Sequence, residues 1–253
     1  MLFRSRTLGD VDLPEAPVRL RRAEAILRRR TSRLVLVMER PWNDDNVQAV
    51  LRTAESFGVQ HIWTIQHPLK RARPKRTVTK GSHLWLSRRV FPTIEECVAG
   101  LRAEGMTIWA TDLGDEAEAL RSPEQLQPFP ERLALVVGRE LQGVSEELLE
   151  AADRRLFLDM GGFTESLNLS VATALMLQRC FDACPELVGA MPDEERDALR
   201  RQWYERLAGK NENKREIFLR YADQPPEPLE STRASADSRK PRVKKKYLKK
   251  KGF

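Results

Sequence analysis

The sequence predicts an α/β fold, a mostly parallel sheet with helices on both faces, and three observations carry that prediction. Apolar runs of strand length alternate with amphipathic stretches of helix length, the order expected of repeated strand–helix–strand units. Two of those runs, Leu34-Val-Leu-Val-Met38 and Leu133-Ala-Leu-Val-Val137, are apolar at consecutive positions rather than every second one. That is the pattern of strands covered on both sides. Capping residues and glycines also fall where helices should begin and end.

Each element follows in chain order. Over residues 18–30, Leu20, Ala23, Ile26 and Leu27 share one helical face and arginines occupy the other. After the strand at 34–38, Asp44 or Asp45 is expected to cap a helix that buries Val47, Val50, Leu51, Ala54 and Phe57 and stops at Gly58. His61-Ile-Trp-Thr-Ile65 reads as a strand, and the basic segment 66–83 as an extended loop. Thr93-Ile-Glu-Glu96 is a capping box for a helix ending near Gly105, and Met106 to Thr111 is a strand. A proline-punctuated loop, Ser122 to Pro130, leads to the strand at 133–137. Ser145 opens a short helix, Arg155-Leu-Phe-Leu158 is the last strand, and a long apolar helix runs out of the loop at 161–168.

The expected organisation is a basic N-terminal extension over 1–33, a catalytic-size domain over 34–184, a charged helical extension with little core of its own over 185–223, and a disordered Lys-rich tail over 224–253. That tail contains Pro225-Pro-Glu-Pro and Lys244 to Lys251, a composition too poor in apolar residues to pack. The chain carries a formal charge of +7. From Asp223 onward there are ten Lys or Arg against four Asp or Glu, so most of the excess lies in the tail. Clusters at 19–22, 28–30 and 70–76 add local positive charge, and together these point to nucleic acid as the partner. No apolar run is long enough to span a bilayer and no signal-peptide pattern opens the chain, so a cytoplasmic protein is expected. Three cysteines without an export signal, and three histidines without metal spacing, predict neither disulfides nor a metal site.

Three loops stand at strand C-termini, the side on which open α/β sheets bind ligands. The first carries Asn46 and Arg52 at the start of a helix. The second is Gly138-Arg-Glu140-Leu-Gln-Gly143, a glycine-bounded turn with one carboxylate. In the third, Ser166, Asn168 and Ser170 gather at the mouth of the apolar helix, where free amides and the positive dipole end can hold a ligand or position a reacting group.

In order and spacing these loops resemble the three motifs of the SpoU/TrmH branch of the SPOUT RNA 2'-O-methyltransferases: Asn46…Arg52, Gly138-x-Glu140-x-x-Gly143 and Ser166-Leu-Asn168-x-Ser170-x-Ala172. The resemblance spans residues 18–183. Gly81 to Leu86 and the helix at 18–30 are similar to the tRNA (guanosine-2'-O)-methyltransferase subgroup. It implies a C-terminal trefoil knot, a homodimer, and S-adenosylmethionine as cofactor, contacted by Thr111, Gly138, Leu158 and Leu167. It also implies a site of Arg52, Asn46, Glu140, Ser166 and Asn168, shared between subunits. A guanidinium gives up its proton very reluctantly. Arg52 is therefore expected to clamp a phosphate and favour the developing alkoxide, with Asn46, Glu140 and Asn168 holding it. With about forty residues ahead of the first motif and extensions at both ends, the implied substrate is tRNA, at guanosine 18 of the D-loop. Ribosomal RNA, the tRNA wobble nucleotide, and a catalytically silent RNA-binding module are the alternatives. The family commonly has proline where this chain has Asp159, and an acidic residue there could favour a cationic cofactor.

Overall fold

A computed structural model of the chain describes residues 15–66, 81–139, 142–164 and 166–232. The chain divides into two compact units, residues 27–203 and the described parts of 1–26 with 204–253.

The larger unit is built on one seven-stranded sheet in which every pairing is parallel. Its strands are β1 (Thr31–Glu39), β2 (Val59–Ile65), β3 (Ser87–Phe91), β4 (Thr107–Thr111), β5 (Glu118–Leu120), β6 (Leu133–Val137) and β7 (Arg154–Leu158), and they lie in the order β3-β2-β1-β6-β4-β7-β5. Two late strands are thus inserted between earlier ones, β6 between β1 and β4, and β7 between β4 and β5. The knotted path implied by the resemblance calls for such an order.

Alternate residues of β1 feed two separate cores. Leu34, Leu36 and Met38 pack with Val50, Leu51 and Ala54 of α2 (Asp44–Phe57) and with Met176, Leu177 and Cys180 of α5 (Leu169–Ala183). Val35 and Val37 pack with Ile94, Cys97 and Leu101 of α3 (Ile94–Ala103) and with Leu148 and Leu149 of α4 (Glu146–Glu150). The helices therefore cover both faces, as the unbroken apolar strands predict. All three cysteines are buried as free thiols, and burial pushes Cys97 and Cys180 up to about 12.

The boundary of α2 corrects one expectation. Its cap is Asn43, whose side chain accepts from the amides of Asp45 and Asn46 at 2.9 and 3.4 Å. Asp44 and Asp45 sit inside the first turn, where their charges complement the helix dipole. Gly58 ends the helix at φ 84, and a Cβ there would lie 2.8 Å from the carbonyl oxygen of Arg29. Thr93 caps α3 as expected, accepting from the amide of Glu96 at 3.2 Å. The strands β3 and β5 are additions to the expected set. Most of the loop at 66–83, residues 67–80, lies outside the described residues; Ser82–Trp85 forms a 3-10 turn. Trp85 meets the ring of Trp203 edge-on at 5.3 Å, and Arg30 lies over Trp203 at 5.2 Å while bonding Glu55 at 2.7 Å.

The smaller unit joins the two ends of the chain. Leu20, Ala23 and Ala25 of α1 (Val18–Leu27) are buried, as are Tyr204 and Ala208 near the end of α6 (Asp193–Ala208) and Phe218, Tyr221 and Ala222 of α7 (Glu212–Asp223). The Tyr204 hydroxyl donates to Glu24 at 2.7 Å. The C-terminal helices thus bury a core, contrary to the expectation of little core of their own. The first residues of the expected disordered tail are also placed: Leu229 donates its amide to the Arg21 carbonyl at 3.1 Å, and Arg21 Nε donates to the Glu227 carbonyl at 3.2 Å. The rest of the tail, 233–253, lies outside the described residues.

Candidate active site

Parallel strands present all their C-termini on one edge, and inserting β6 and β7 brings the ends of β4, β6 and β7 side by side there. A cavity of about 450 Å³ opens between them. It is lined by Thr111, Gly138 and Leu158 from the three strand ends and by Ser166 and Leu167 from the loop that enters α5. The four residues expected to contact the cofactor, and Ser166, therefore lie on one cavity.

The turn after β6 is shaped by its glycines. Arg139 and Gly143 exchange backbone hydrogen bonds at 2.9 and 3.0 Å, closing a tight antiparallel bridge. A Cβ on Gly138 would sit 2.1 to 2.2 Å from the backbone of Gly143 and Val144, so only glycine fits. Glu140, the turn's expected functional carboxylate, lies outside the described residues.

Across the mouth of the cavity, Asn168 caps α5. Its Oδ1 accepts from the Ser170 amide at 3.0 Å and from the Ser170 hydroxyl at 2.7 Å, while its Nδ2 donates to Asn46 Oδ1 at 3.1 Å. One asparagine thus orders a helix start and ties it to the first turn of α2. Arg52, two turns further along α2, is exposed, and among the described residues its guanidinium has no ion-pair or hydrogen-bond partner. Neither Asn46 nor Arg52 lines the cavity.

Residues that the sequence alone does not single out complete the walls. Leu169, Ala172 and Met176 line the cavity from α5 at helical spacing from the capped end, a stripe that could have been read outward from Asn168. Asp112 and Arg139 are the charged side chains on the wall among the described residues. Asp159 is not on it. That carboxylate bonds Arg121 Nε at 2.8 Å, which raises the Arg121 pKa, so its charge is engaged away from the cavity. Where β1 and β6 end, Glu39 Oε1, Arg40 Nε, Arg139 Nε and Ser145 Oγ are buried without a hydrogen-bond partner among the described residues. Glu39 is fully buried and uses its other oxygen to accept from the Ser145 amide at 2.7 Å.

The cavity suits a nucleoside-sized ligand in volume. Leu156, Leu158, Leu167 and Met176 offer an apolar slot for a flat ring, and the strand ends offer backbone groups for polar atoms. Among the described residues no group of His, Cys, Asp and Glu could hold a metal ion, and no helix is long and apolar enough to cross a membrane.

Comparison with known proteins agrees with this geometry. The sequence profile of the SpoU rRNA Methylase family matches residues 33–178. The tRNA (guanosine(18)-2'-O)-methyltransferase of Escherichia coli K12 is 35% identical over 161 residues, 64% of this chain and 68% of that protein. The crystal structure of the Aquifex aeolicus TrmH/SpoU tRNA modifying enzyme superposes with a TM-score of 0.64 at 30% identity, covering 75% of this chain and 95% of that one. An rRNA methyltransferase of Sinorhizobium meliloti, solved with AdoMet bound, shares the fold at a TM-score of 0.54 and 23% identity, over 62% of this chain and 60% of that one.

Proposed function

The chain belongs to the SpoU rRNA Methylase family, and on that premise we propose that it methylates the ribose 2'-hydroxyl of guanosine 18 in tRNA, using S-adenosylmethionine. One observation carries the proposal. The loop at 166–168 walls the cavity with Ser166 and Leu167, and with Asn168 it grips the helix that bears Arg52, which is exposed and has no partner among the described residues.

S-adenosylmethionine, when bound, supplies a methyl group already activated by a sulfonium. The protein's task is therefore to align the ribose and ease the loss of its 2'-hydroxyl proton. Thr111, Gly138, Leu158 and Leu167 would hold the cofactor, and the apolar wall would keep water from it. Arg52 clamps a phosphate of the substrate and favours the alkoxide as it develops. The proton leaves to a phosphate oxygen or to water rather than to the guanidinium. Asn46 and Asn168 position α2, Ser166 would hydrogen-bond to what binds in the cavity it lines, and Glu140 would help to hold Arg52 and the loops.

We assign this site to a homodimer. Val171 and Leu175 are 46% and 45% exposed one helical turn apart on α5, and Leu167, in the loop before that helix, is exposed and lines the cavity. Sedimentation should give twice the chain mass; a monomer at micromolar concentration would remove this part of the proposal. The reaction is tested by incubating unmodified tRNA with labelled S-adenosylmethionine and mapping the product. Methylation at guanosine 18 is expected. Label only at the wobble nucleotide, or only in ribosomal RNA, would overturn the assigned substrate.

A further inference from the structure

We propose that Arg139 and Asp112 grip the amino-acid end of S-adenosylmethionine, the guanidinium taking the α-carboxylate and the Asp112 carboxylate taking the α-ammonium; this rests on the proposed cofactor. They are the charged side chains on the cavity wall among the described residues, one of each sign. Neither makes a side-chain hydrogen bond or an ion pair with a described residue, and they do not pair with each other. Elsewhere in the same unit the fold pairs such groups: Arg102 bonds Asp153, Arg121 bonds Asp159 and Arg154 bonds Glu118, at 2.7, 2.8 and 2.7 Å.

The sheet sets the two side by side. β4 and β6 are parallel neighbours in register at Ala110 and Val136. Continuing that register puts Asp112 level with Gly138, one residue short of Arg139, on chains about 4.8 Å apart. Both backbones are held: the Asp112 amide donates to the Leu156 carbonyl at 3.0 Å, and Arg139 exchanges hydrogen bonds with Gly143 across the turn. The Arg139 Nε is buried without a partner among the described residues, an arrangement that costs free energy until an acceptor arrives.

The charges select the ligand. At neutral pH the amino-acid end of S-adenosylmethionine carries an ammonium and a carboxylate on one carbon, so opposite charges on neighbouring strands complement it. A nucleotide such as ATP offers only negative charge, which Asp112 repels. Arg121 engages Asp159, so among the described residues Asp112 is the carboxylate on the wall that can meet a cationic cofactor.

The test titrates four ligands calorimetrically into the wild type, Arg139→Ala and Asp112→Asn: S-adenosylmethionine, S-adenosylhomocysteine, decarboxylated S-adenosylmethionine and methylthioadenosine. Arg139→Ala should raise the Kd of the first two about 10- to 100-fold, the loss of one charge-assisted hydrogen bond, without weakening the last two, which lack the carboxylate. Asp112→Asn should weaken the first three to a similar degree and spare methylthioadenosine, which lacks the ammonium. Unchanged binding of methylthioadenosine also shows that each variant keeps the folded cavity. Wild-type affinities in both variants would overturn the proposal, as would equal losses for all four ligands, which would assign the pair to the nucleoside or the fold. So would a loss in Asp112→Asn confined to the two sulfonium ligands, which would assign Asp112 to the sulfonium. Asp112→Asn is nearly isosteric, so its four affinities decide even where Arg139→Ala does not fold. If the wild type binds S-adenosylmethionine but methylates no tRNA, the proposed reaction fails and the affinities still decide the role of the pair. If it does not bind S-adenosylmethionine at all, both fail together.

Discussion

Arg52 and Glu39 differ in how much of their chemistry the fold already uses. Arg52 is exposed and unpartnered among the described residues, so its loss should leave packing alone. Arg52→Ala should keep its melting temperature and its affinity for S-adenosylmethionine and still bind tRNA with only the modest loss of one phosphate contact, while methyl transfer falls about 10²- to 10³-fold, the usual effect of removing one charge-stabilising donor. Unchanged turnover would remove Arg52 from the site. Glu39 is fully buried and holds the Ser145 amide at 2.7 Å. Glu39→Ala strands that amide and should cost about 1–3 kcal/mol in urea unfolding. Glu39→Gln keeps an acceptor oxygen and should cost less; equal losses would show that the bond to Ser145 is not what Glu39 contributes. Arg52 is legible in the sequence because its spacing from Asn46 is local. Glu39 is not, since its partner lies 106 positions away and a Glu ending a strand looks like surface.

At the scale of elements, the two strands that the sequence does not announce share a physical reason. In β3 only Phe91 is buried, and β5 has three residues, so neither shows a run or an alternation. Their register comes from β2 and β7, against which they pair as the sheet's edges. The cap of α2 falls one residue before the expected aspartates because Asn43, Asp44 and Asp45 all have capping side chains, and backbone geometry chooses among them. The turn after β6 is legible in its glycines, and its sharpness can be tested. In Gly138→Ala the new methyl cannot share space with Gly143, so the turn must move. Titration calorimetry should show at least about tenfold weaker cofactor binding, on the order of 1.4 kcal/mol, in a protein that still folds. Wild-type affinity would mean that the turn is not a wall of the cofactor site.

The helix α6 offers a pH test. Burial raises the Glu195 pKa, but hydrogen bonds from His61 at 2.6 Å and Ser32 at 2.5 Å, with the nearby charge of Arg132, lower it further, and the net shift is downward from 4.5. A carboxyl depressed by folding contributes stability above its unfolded pKa and loses it as pH falls through the folded value. The melting temperature of Glu195→Gln should therefore lie below the wild type at pH 6 and converge on it below about pH 4.5. A gap that persists into acid would mean that the carboxylate charge is not what Glu195 contributes.

At the scale of the molecule, the sequence separates two terminal extensions that the structure builds into one unit. Tyr204 and Glu24 bond at 2.7 Å across 180 positions, and no local pattern in either helix announces the other. The apolar residues of α7 are interspersed with charge, so the burial of Phe218, Tyr221 and Ala222 has no clear periodic sign in the sequence. The Lys-rich residues beyond 232 follow directly from this unit in the chain. A chain ending at Gln224 should bind tRNA more weakly at low salt, and the log–log slope of affinity against salt should flatten by roughly one unit for every phosphate that the missing cations would have neutralised. The same slope with and without those residues would assign them another task.

The insertion of β6 and β7 also bears on how the protein is made. A chain emerging N-terminus first carries β1 and β4 long before Leu133–Val137 exists to lie between them. Until then the flank of β1 that will receive β6 and both flanks of β4 have no strand to pair with, and such open flanks invite pairing between nascent chains. Synthesis is therefore most exposed to aggregation just before residue 133 leaves the ribosome, and a translational pause there would be more harmful than one at either end of the message.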